Sequence, residues 1–258
     1  MNVSRFRLIT FDVTDTLLKF RSTPGKQYGE VGAMFGVLCD AQALTANFKS
    51  HWHKMNAEHP NFGRKSGLGW ELWWRRIIKG TFKDSKINLD DKKLESIASH
   101  LIQVYETSMC LQQSYGALGL LSYLRNRGVP LGVISNFDPR LNATLINTKL
   151  RHYFNFVLGS YEAGVEKPHS DIFKKAMEIS KVEDLKPEDC LHIGNTALLD
   201  YLGARDCGWS AVLIQDKDSR KVKEKYPFVD TKYLFPNLYD LHKHFLENNG
   251  EKLSAHSY

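Results

Sequence analysis

The stretch TFDVTDTLL carries two aspartates, Asp12 and Asp15, directly after the apolar run Leu8, Ile9 and Phe11. A carboxylate at the end of a buried strand is a group that can attack an electrophile, move a proton or ligate a metal. Other polar side chains stand at comparable places. Ser135 and Asn136 close the run PLGVISNF, Lys167 precedes Pro168 in VEKP, and Asn195 and Asp200 lie in GNTALLD after the run CLHIGN. Ligands of open α/β sheets bind beyond the carboxyl ends of the strands. Two carboxylates, a hydroxyl and an ammonium gathered at one such edge suit a phosphate-like anion held with a divalent metal. The carboxylates would ligate Mg²⁺, while the hydroxyl and the ammonium would hold anionic oxygens. Pro168 biases Lys167 toward an extended backbone, which helps to aim its side chain from a loop.

The elements that must position these groups are legible as periodicities. Five short apolar runs, RLITFDV, PLGVISNF, NFVLGSY, CLHIGN and SAVLIQD, are bounded by Gly, Pro, Asn or Asp, as strands buried on both faces of a parallel sheet should be. Segments of helical spacing separate the later ones. YGALGLLSYLRNRG places Leu118, Leu121 and Leu124 on one face and closes at Gly128. DPRLNATLINTKL opens with Asp138 as an N-cap and Pro139 at the first helical position. SDIFKKAMEISK and LLDYLGARDCG behave alike, and the alternation predicts a doubly wound α/β domain. From Gly25 to Met109 the pattern is helical, with no convincing strand. Trp70, Trp73, Trp74, Ile77 and Ile78 share contact spacing, as do Leu94, Ile97, Leu101 and Val104. This is read as a helical domain inserted after the first strand, and its tryptophans as core.

Bulk properties narrow the class. The 258 residues are 42% hydrophobic, an ordinary value for a globular protein. No apolar run reaches the roughly 18 residues of a membrane span, and Arg5, Arg7 and Asp12 cut short any signal-peptide core. Cys39, Cys110, Cys190 and Cys207 form no CxxC, the usage of an intracellular (cytoplasmic or nuclear) protein with reduced thiols. The net charge of +6 is spread among acids. Even KDKDSRKVKEK alternates in sign without aromatics, which points to a solvated surface and away from nucleic acid. His51 and His53 lie two apart on a helix and face different ways, so with His59 they read as surface residues and not as a metal site.

The ordered set FDVTDTLL, GVISNFD, GVEKP and HIGNTALLDYLGARDCGW resembles the four motifs of the haloacid dehalogenase (HAD) superfamily of hydrolases, and HPNFG and the tryptophan pair resemble its rhythmically-expressed-gene-2-like subgroup. The resemblance spans nearly the whole chain. It implies a Rossmann-like (HAD-type) α/β core over residues 1–20 and 111–248, a helical cap over 21–110 and a tail over 249–258, with hinges at KFRSTPG and SMCLQQS. It further implies that Asp12 is a nucleophile forming an aspartyl-phosphate and that Ser135 and Asn136 hold phosphoryl oxygens. Lys167 would neutralise charge, and Asp200 would bind Mg²⁺ directly or through water. The substrate class so implied is a small phosphorylated metabolite.

Two positions depart from that pattern. The family's phosphatases place a second, acid–base aspartate two residues after the nucleophile, where this chain has Thr14, which has no titratable proton near neutral pH. Losing such a catalyst costs roughly 10²–10⁴ in rate. Asp15 is one residue out of register and reads as a turn residue. Asn195 stands where the family has a metal-organising aspartate, so Mg²⁺ held around Asp12, Thr14, Asn195 and Asp200 would bind more weakly than in a full family site, or not at all. The superfamily's ATPases carry Thr at the position of Thr14 and still form the aspartyl-phosphate; its dehalogenases lack the second aspartate, use no metal and attack carbon. The readings left open are an unconventional phosphatase, a catalytically impaired module that binds a phosphate ligand or a protein partner, and, third, a carbon–halogen hydrolase.

Overall fold

The computed structural model describes residues 1–85 and 89–251; of the expected C-terminal tail, residues 252–258 lie outside the described residues. The chain opens with β1 (Leu8–Phe11) and β2 (Leu18–Phe20), followed by α1 (Pro24–Met34), α2 (Ala41–Glu58), α3 (Trp70–Lys83) and α4 (Asp91–Val104). Next come β3 (Leu111–Gln113), α5 (Ala117–Asn126), β4 (Leu131–Ser135) and α6 (Leu141–Asn147). β5 (Phe156–Gly159) runs into the short α7 (Ser160–Ala163), and α8 (Ser170–Ser180) leads to β6 (Cys190–Gly194). A π-helical turn (Ala197–Leu202) continues as α9 (Gly203–Asp206). After it follow β7 (Ser210–Ile214), α10 (Ser219–Lys225), β8 (Leu234–Phe235) and α11 (Leu238–Asn248).

Two compact units result. The first comprises Met1–Lys19, Gln113–Asn136 and Lys149–Tyr258; the second comprises Phe20–Gln112 and Phe137–Thr148.

The first unit is built on a six-stranded sheet of order β5-β4-β1-β6-β7-β8, every neighbouring pair parallel. The five apolar runs supply its first five strands. Every residue of β1, β4 and β6 is buried, which is why these strands read as continuous hydrophobic stretches and not as alternations. Each large apolar side chain so buried contributes roughly 1.5–3 kcal/mol. β8 is a two-residue edge strand too short for a periodicity signal. On α5, Leu120, Leu121 and Leu124 are buried, whereas Leu118, expected on that face, is exposed.

The second unit is helical. Tyr28, Leu44, Ile78, Phe82, Leu94, Ile97 and Leu101 form one cluster, and Trp73 with Met55 and Ile77 a smaller one. Trp73 is fully buried and its indole N–H donates to the carbonyl of His59 at 2.9 Å. α6 starts later than the sequence suggests, at Leu141, although Asp138 Oδ1 still accepts the backbone N–H of Arg140 at 3.0 Å. The Asp138 carboxylate also accepts the guanidinium of buried Arg140 at 2.9 and 2.6 Å and the indole N–H of Trp74 at 2.7 Å. Arg140 also donates to the carbonyl of Ile102 at 2.9 Å and stacks over Trp70. A second, two-stranded sheet pairs β2 with β3. All four cysteines are unpaired, and no described helix is long and apolar enough to cross a membrane.

Candidate active site

Strand order decides what can meet. β4, β1 and β6 are adjacent, and Phe11 pairs with Val133 on one side and Ile193 on the other, so Asp12, Ser135 and Gly194 leave the sheet side by side. The amide of Asp12 continues the ladder, donating to the carbonyl of Ile193 at 2.9 Å. The site that results lies wholly within the first unit.

Lys167 is its centre. Although 2% exposed, its ammonium uses all three protons: on Asp12 Oδ1 at 2.8 Å, on Asp200 Oδ1 at 2.6 Å and on the carbonyl of Ile134 at 2.8 Å. Its backbone is fixed as firmly. The Asn136 side chain accepts from the Lys167 N–H at 2.7 Å and donates to the Lys167 carbonyl at 3.0 Å, imitating a pair of strand hydrogen bonds. The Lys167–Pro168 peptide bond is cis. The amide of Asn136 thus positions the lysine, and the hydroxyl of Ser135 faces the carboxylate, donating to Asp12 Oδ1 at 3.0 Å.

Asp12 is 7% exposed. Its Oδ1 accepts from Ser135 and Lys167, while Oδ2 has a single long contact with the hydroxyl of Thr16 at 3.4 Å. Oδ2 is therefore the oxygen free to react. Burial pushes the Asp12 carboxyl above its ordinary range, against the pull of Lys167. Asp200 sits in the π-helical turn, a device frequent at functional sites. Burial opposes its ionisation too, but Lys167 and the hydrogen bond from His192 hold it well below the usual carboxylate range. Its Oδ2 accepts the N–H of Thr196 at 2.8 Å. Gly194 makes room for it: a Cβ there would stand 2.2 Å from Asp200 Cγ. Burial alone would lower Lys167, yet its two carboxylate neighbours raise it above an ordinary lysine, so it is charged.

Thr14 and Asp15 occupy the turn after β1. Thr14 is half-buried and bridges to Leu18; Asp15 is exposed, has φ +58° and donates its N–H to the carbonyl of Leu18 at 2.7 Å. That left-handed conformation explains why a residue tolerant of positive φ stands there. Asn195 is half-buried; its side-chain oxygen accepts the Thr196 hydroxyl at 3.2 Å and its carbonyl accepts Gln215 at 2.7 Å.

His192 was not foreseen. It is fully buried on β6, with Nδ1 2.8 Å from the Thr10 hydroxyl and Nε2 3.1 Å from Asp200 Oδ1. Burial holds it below the ordinary histidine value, against the hydrogen bond to Asp200, so it is neutral near pH 7. The signal was a lone polar residue inside the buried run CLHIG, paired in register with another, Thr10. A groove at the amino ends of β1 and β4, lined by Val3, Phe6, Arg7, Arg127 and Pro130, lies at the opposite edge of the sheet from this chemistry.

With both carboxylates ionised, one ammonium and a neutral imidazole leave the cluster one negative charge in excess. That charge and the uncommitted oxygen of Asp12 fit a divalent cation, which binds through one or two carboxylates and keeps several waters. Asp200 Oδ1 accepts from Lys167 and His192, whereas its Oδ2 accepts one N–H, that of Thr196. Among the described residues no three of His, Cys, Asp and Glu gather as a metal group.

The first unit thus holds a buried carboxylate at the end of β1, an ammonium clamped between it and a second carboxylate, and a hydroxyl beside them on a parallel sheet. A model of the haloacid dehalogenase-like hydrolases matches residues 6–208, and the chain belongs to that family. Among curated relatives it is 51% identical over 249 residues to the rhythmically expressed gene 2 protein of Drosophila melanogaster, covering 94% of this chain and 96% of that one. It is 35% identical over 221 residues to haloacid dehalogenase-like hydrolase domain-containing protein 3 of Xenopus laevis, covering 86% and 89%. Of solved structures, the magnesium-bound putative HAD-hydrolase YfnB of Bacillus subtilis superimposes with a TM-score of 0.67 at 17% identity, covering 93% and 99%. A HAD phosphatase of Thermococcus onnurineus does so with 0.57 at 22%, covering 96% and 100%. At these identities the structural likeness shows the fold alone.

Proposed function

We propose that the protein is a hydrolase of small phosphorylated metabolites that works through an aspartyl-phosphate on Asp12. The observation that carries this reading is the ammonium of Lys167, buried and saturated between Asp12 and Asp200. A carboxylate is a poor nucleophile toward an anionic phosphate unless cations screen the repulsion, so positioning and electrostatics must do most of the work. Asp12 Oδ2 attacks phosphorus in line with the leaving oxygen. Ser135 turns its hydroxyl from Asp12 Oδ1 to a phosphoryl oxygen, Lys167 neutralises the developing charge, and Asn136 keeps the lysine's backbone in place. Asp200 holds the ammonium from behind. Mg²⁺ would be held at the Asp12 carboxylate with neutral oxygens of Thr14 and Asn195, and would supply charge neutralisation for the phosphoryl group. Asp200 would join it directly or through water, and with no charge from Asn195 the ion would be held more weakly than in a full family site. The helical unit is proposed as the cap that selects the substrate.

The test is a panel of phosphorylated metabolites assayed with and without Mg²⁺, beside an Asp12→Asn control. Turnover that vanishes in the control supports the hydrolase. Thr14 and Asn195 favour one other reading, a module that binds a phosphate ligand or a protein partner. Phosphate-analogue binding without turnover above the control would establish that reading instead.

A further inference from the structure

We infer that the substrates of this site are phosphoryl compounds whose leaving group departs without a proton, such as acyl, aryl or enol phosphates, and not simple alkyl phosphomonoesters. The inference rests on the hydrolase reading above and concerns what that site can release.

The protic groups that the first unit places around Asp12 are committed elsewhere or do not titrate. Lys167 directs its three protons to Asp12 Oδ1, Asp200 Oδ1 and the carbonyl of Ile134, so none is left for a leaving oxygen. Ser135, Thr14 and Thr16 are hydroxyls, with no proton to release near pH 7. His192 lies behind Asp200, its two nitrogens facing Asp200 and Thr10. Asp15 is an exposed residue of a left-handed turn. Among the described residues of the first unit, this cluster therefore supplies no general acid for the leaving oxygen.

The chemistry balances without one. A bond forms from Asp12 Oδ2 to phosphorus while the bond from phosphorus to the leaving oxygen breaks, and the electron pair leaves with that oxygen. A carboxylate, phenolate or enolate carries it unaided; an alkoxide does not. In the second step a water oxygen bonds to phosphorus, the pair of the aspartyl P–O bond returns to Asp12, and the water's proton passes to a phosphoryl oxygen. General acid catalysis contributes about 10²–10⁴ in rate, and a site lacking it forfeits that factor only where the leaving group needs the proton.

The experiment is a series of aryl phosphates of graded phenol acidity, with acetyl phosphate and glycerol phosphate at the extremes, assayed on the full chain and on Thr14→Asp, Asp15→Asn and Asp12→Asn. The expected kcat/KM falls steeply as the phenol becomes less acidic, 4-nitrophenyl phosphate exceeding phenyl phosphate by about 100-fold. Thr14→Asp should flatten the dependence and Asp15→Asn leave it unchanged. A shallow dependence in the unmodified chain, abolished only by Asp12→Asn, would overturn the inference while leaving the hydrolase intact. A Thr14→Asp protein that folds and keeps the steep slope would also overturn it. No turnover of even the most acidic leaving group would overturn both, and chloride release from 2-chloropropionate in its place would move the chemistry from phosphorus to carbon.

Discussion

Asp12 and Asp200 share the Lys167 ammonium and are both opposed by burial, but burial wins at Asp12 whereas Lys167 and His192 win at Asp200, and that difference is measurable. Asp12 binds its proton more tightly in the folded chain than in the unfolded one, because burial outweighs Lys167. Its contribution to stability therefore declines as pH rises from the ordinary carboxylate range through its folded value, and stays reduced at neutral pH. Asp200 binds its proton less tightly when folded, so its contribution is full above the ordinary carboxylate range and is lost as pH falls through its lower folded value. Lys167 contributes fully below the ordinary lysine value and loses that contribution as pH climbs through its raised folded value. At pH 7, Asp12→Asn should raise the melting temperature and Asp200→Asn should lower it. Both differences should shrink when the melts are repeated in strong acid. Equal shifts of the same sign would refute the assignment. Lys167→Met leaves two buried carboxylates facing one another and should cost about 3–5 kcal/mol in urea denaturation. An unchanged midpoint would mean that the ammonium is not the buried bridge described.

At the scale of elements, three devices hold these residues. The parallel register of β4, β1 and β6 brings Asp12, Ser135 and Gly194 to one edge, the Asn136 amide fastens the Lys167 backbone, and the π-helical turn lowers Asp200 onto the space above Gly194. Gly194→Ala should push Asp200 off its partners. The expected result is a folded protein with reduced melting temperature and a perturbed Lys167 side-chain resonance; an unaltered resonance would show that Asp200 tolerates the methyl group. In the helical unit, Trp73→Ala removes a fully buried ring and should cost about 3–5 kcal/mol, read from chemical denaturation, whereas Trp74→Phe removes the donor to Asp138 while keeping most of the packing and should cost about 1.5–3 kcal/mol.

For the molecule as a whole, the α/β class and the first five strands of the sheet were legible because both-face burial writes itself as short apolar runs between turn residues. The positions of Asp12, Ser135, Lys167 and Asp200 were legible because parallel strands must deliver their terminal residues to one edge. What stayed hidden was tertiary in origin. Asp138 reads as a capping residue and does accept the Arg140 N–H, but local chemistry does not report that the Arg140 guanidinium and Trp74 share its carboxylate. Leu118 fits the helical stripe, yet Leu120 takes the buried place. His192 looks like one interruption of an apolar strand until register sets it beside Thr10 and the π-helical turn brings Asp200 to its Nε2. The role of Asn136 in holding Lys167 depends on a loop whose path no periodicity reports.

The central claim is that Asp12 is the nucleophile. Turnover in ¹⁸O-labelled water with enzyme in excess over an aryl phosphate, followed by mass spectrometry of the peptide containing Asp12, tests it most directly. An attacking carboxylate must pass through an aspartyl-phosphate, and hydrolysis returns the electron pair of its P–O bond to Asp12 while water adds at phosphorus. Attack at carbon instead places the water oxygen in the carboxylate. The account predicts unlabelled Asp12, singly labelled phosphate and an acid-stable phosphorylated peptide, +80 Da on Asp12, in rapidly quenched samples. Labelled phosphate with no phosphopeptide at any quench time, or ¹⁸O in the Asp12 side chain, would contradict it.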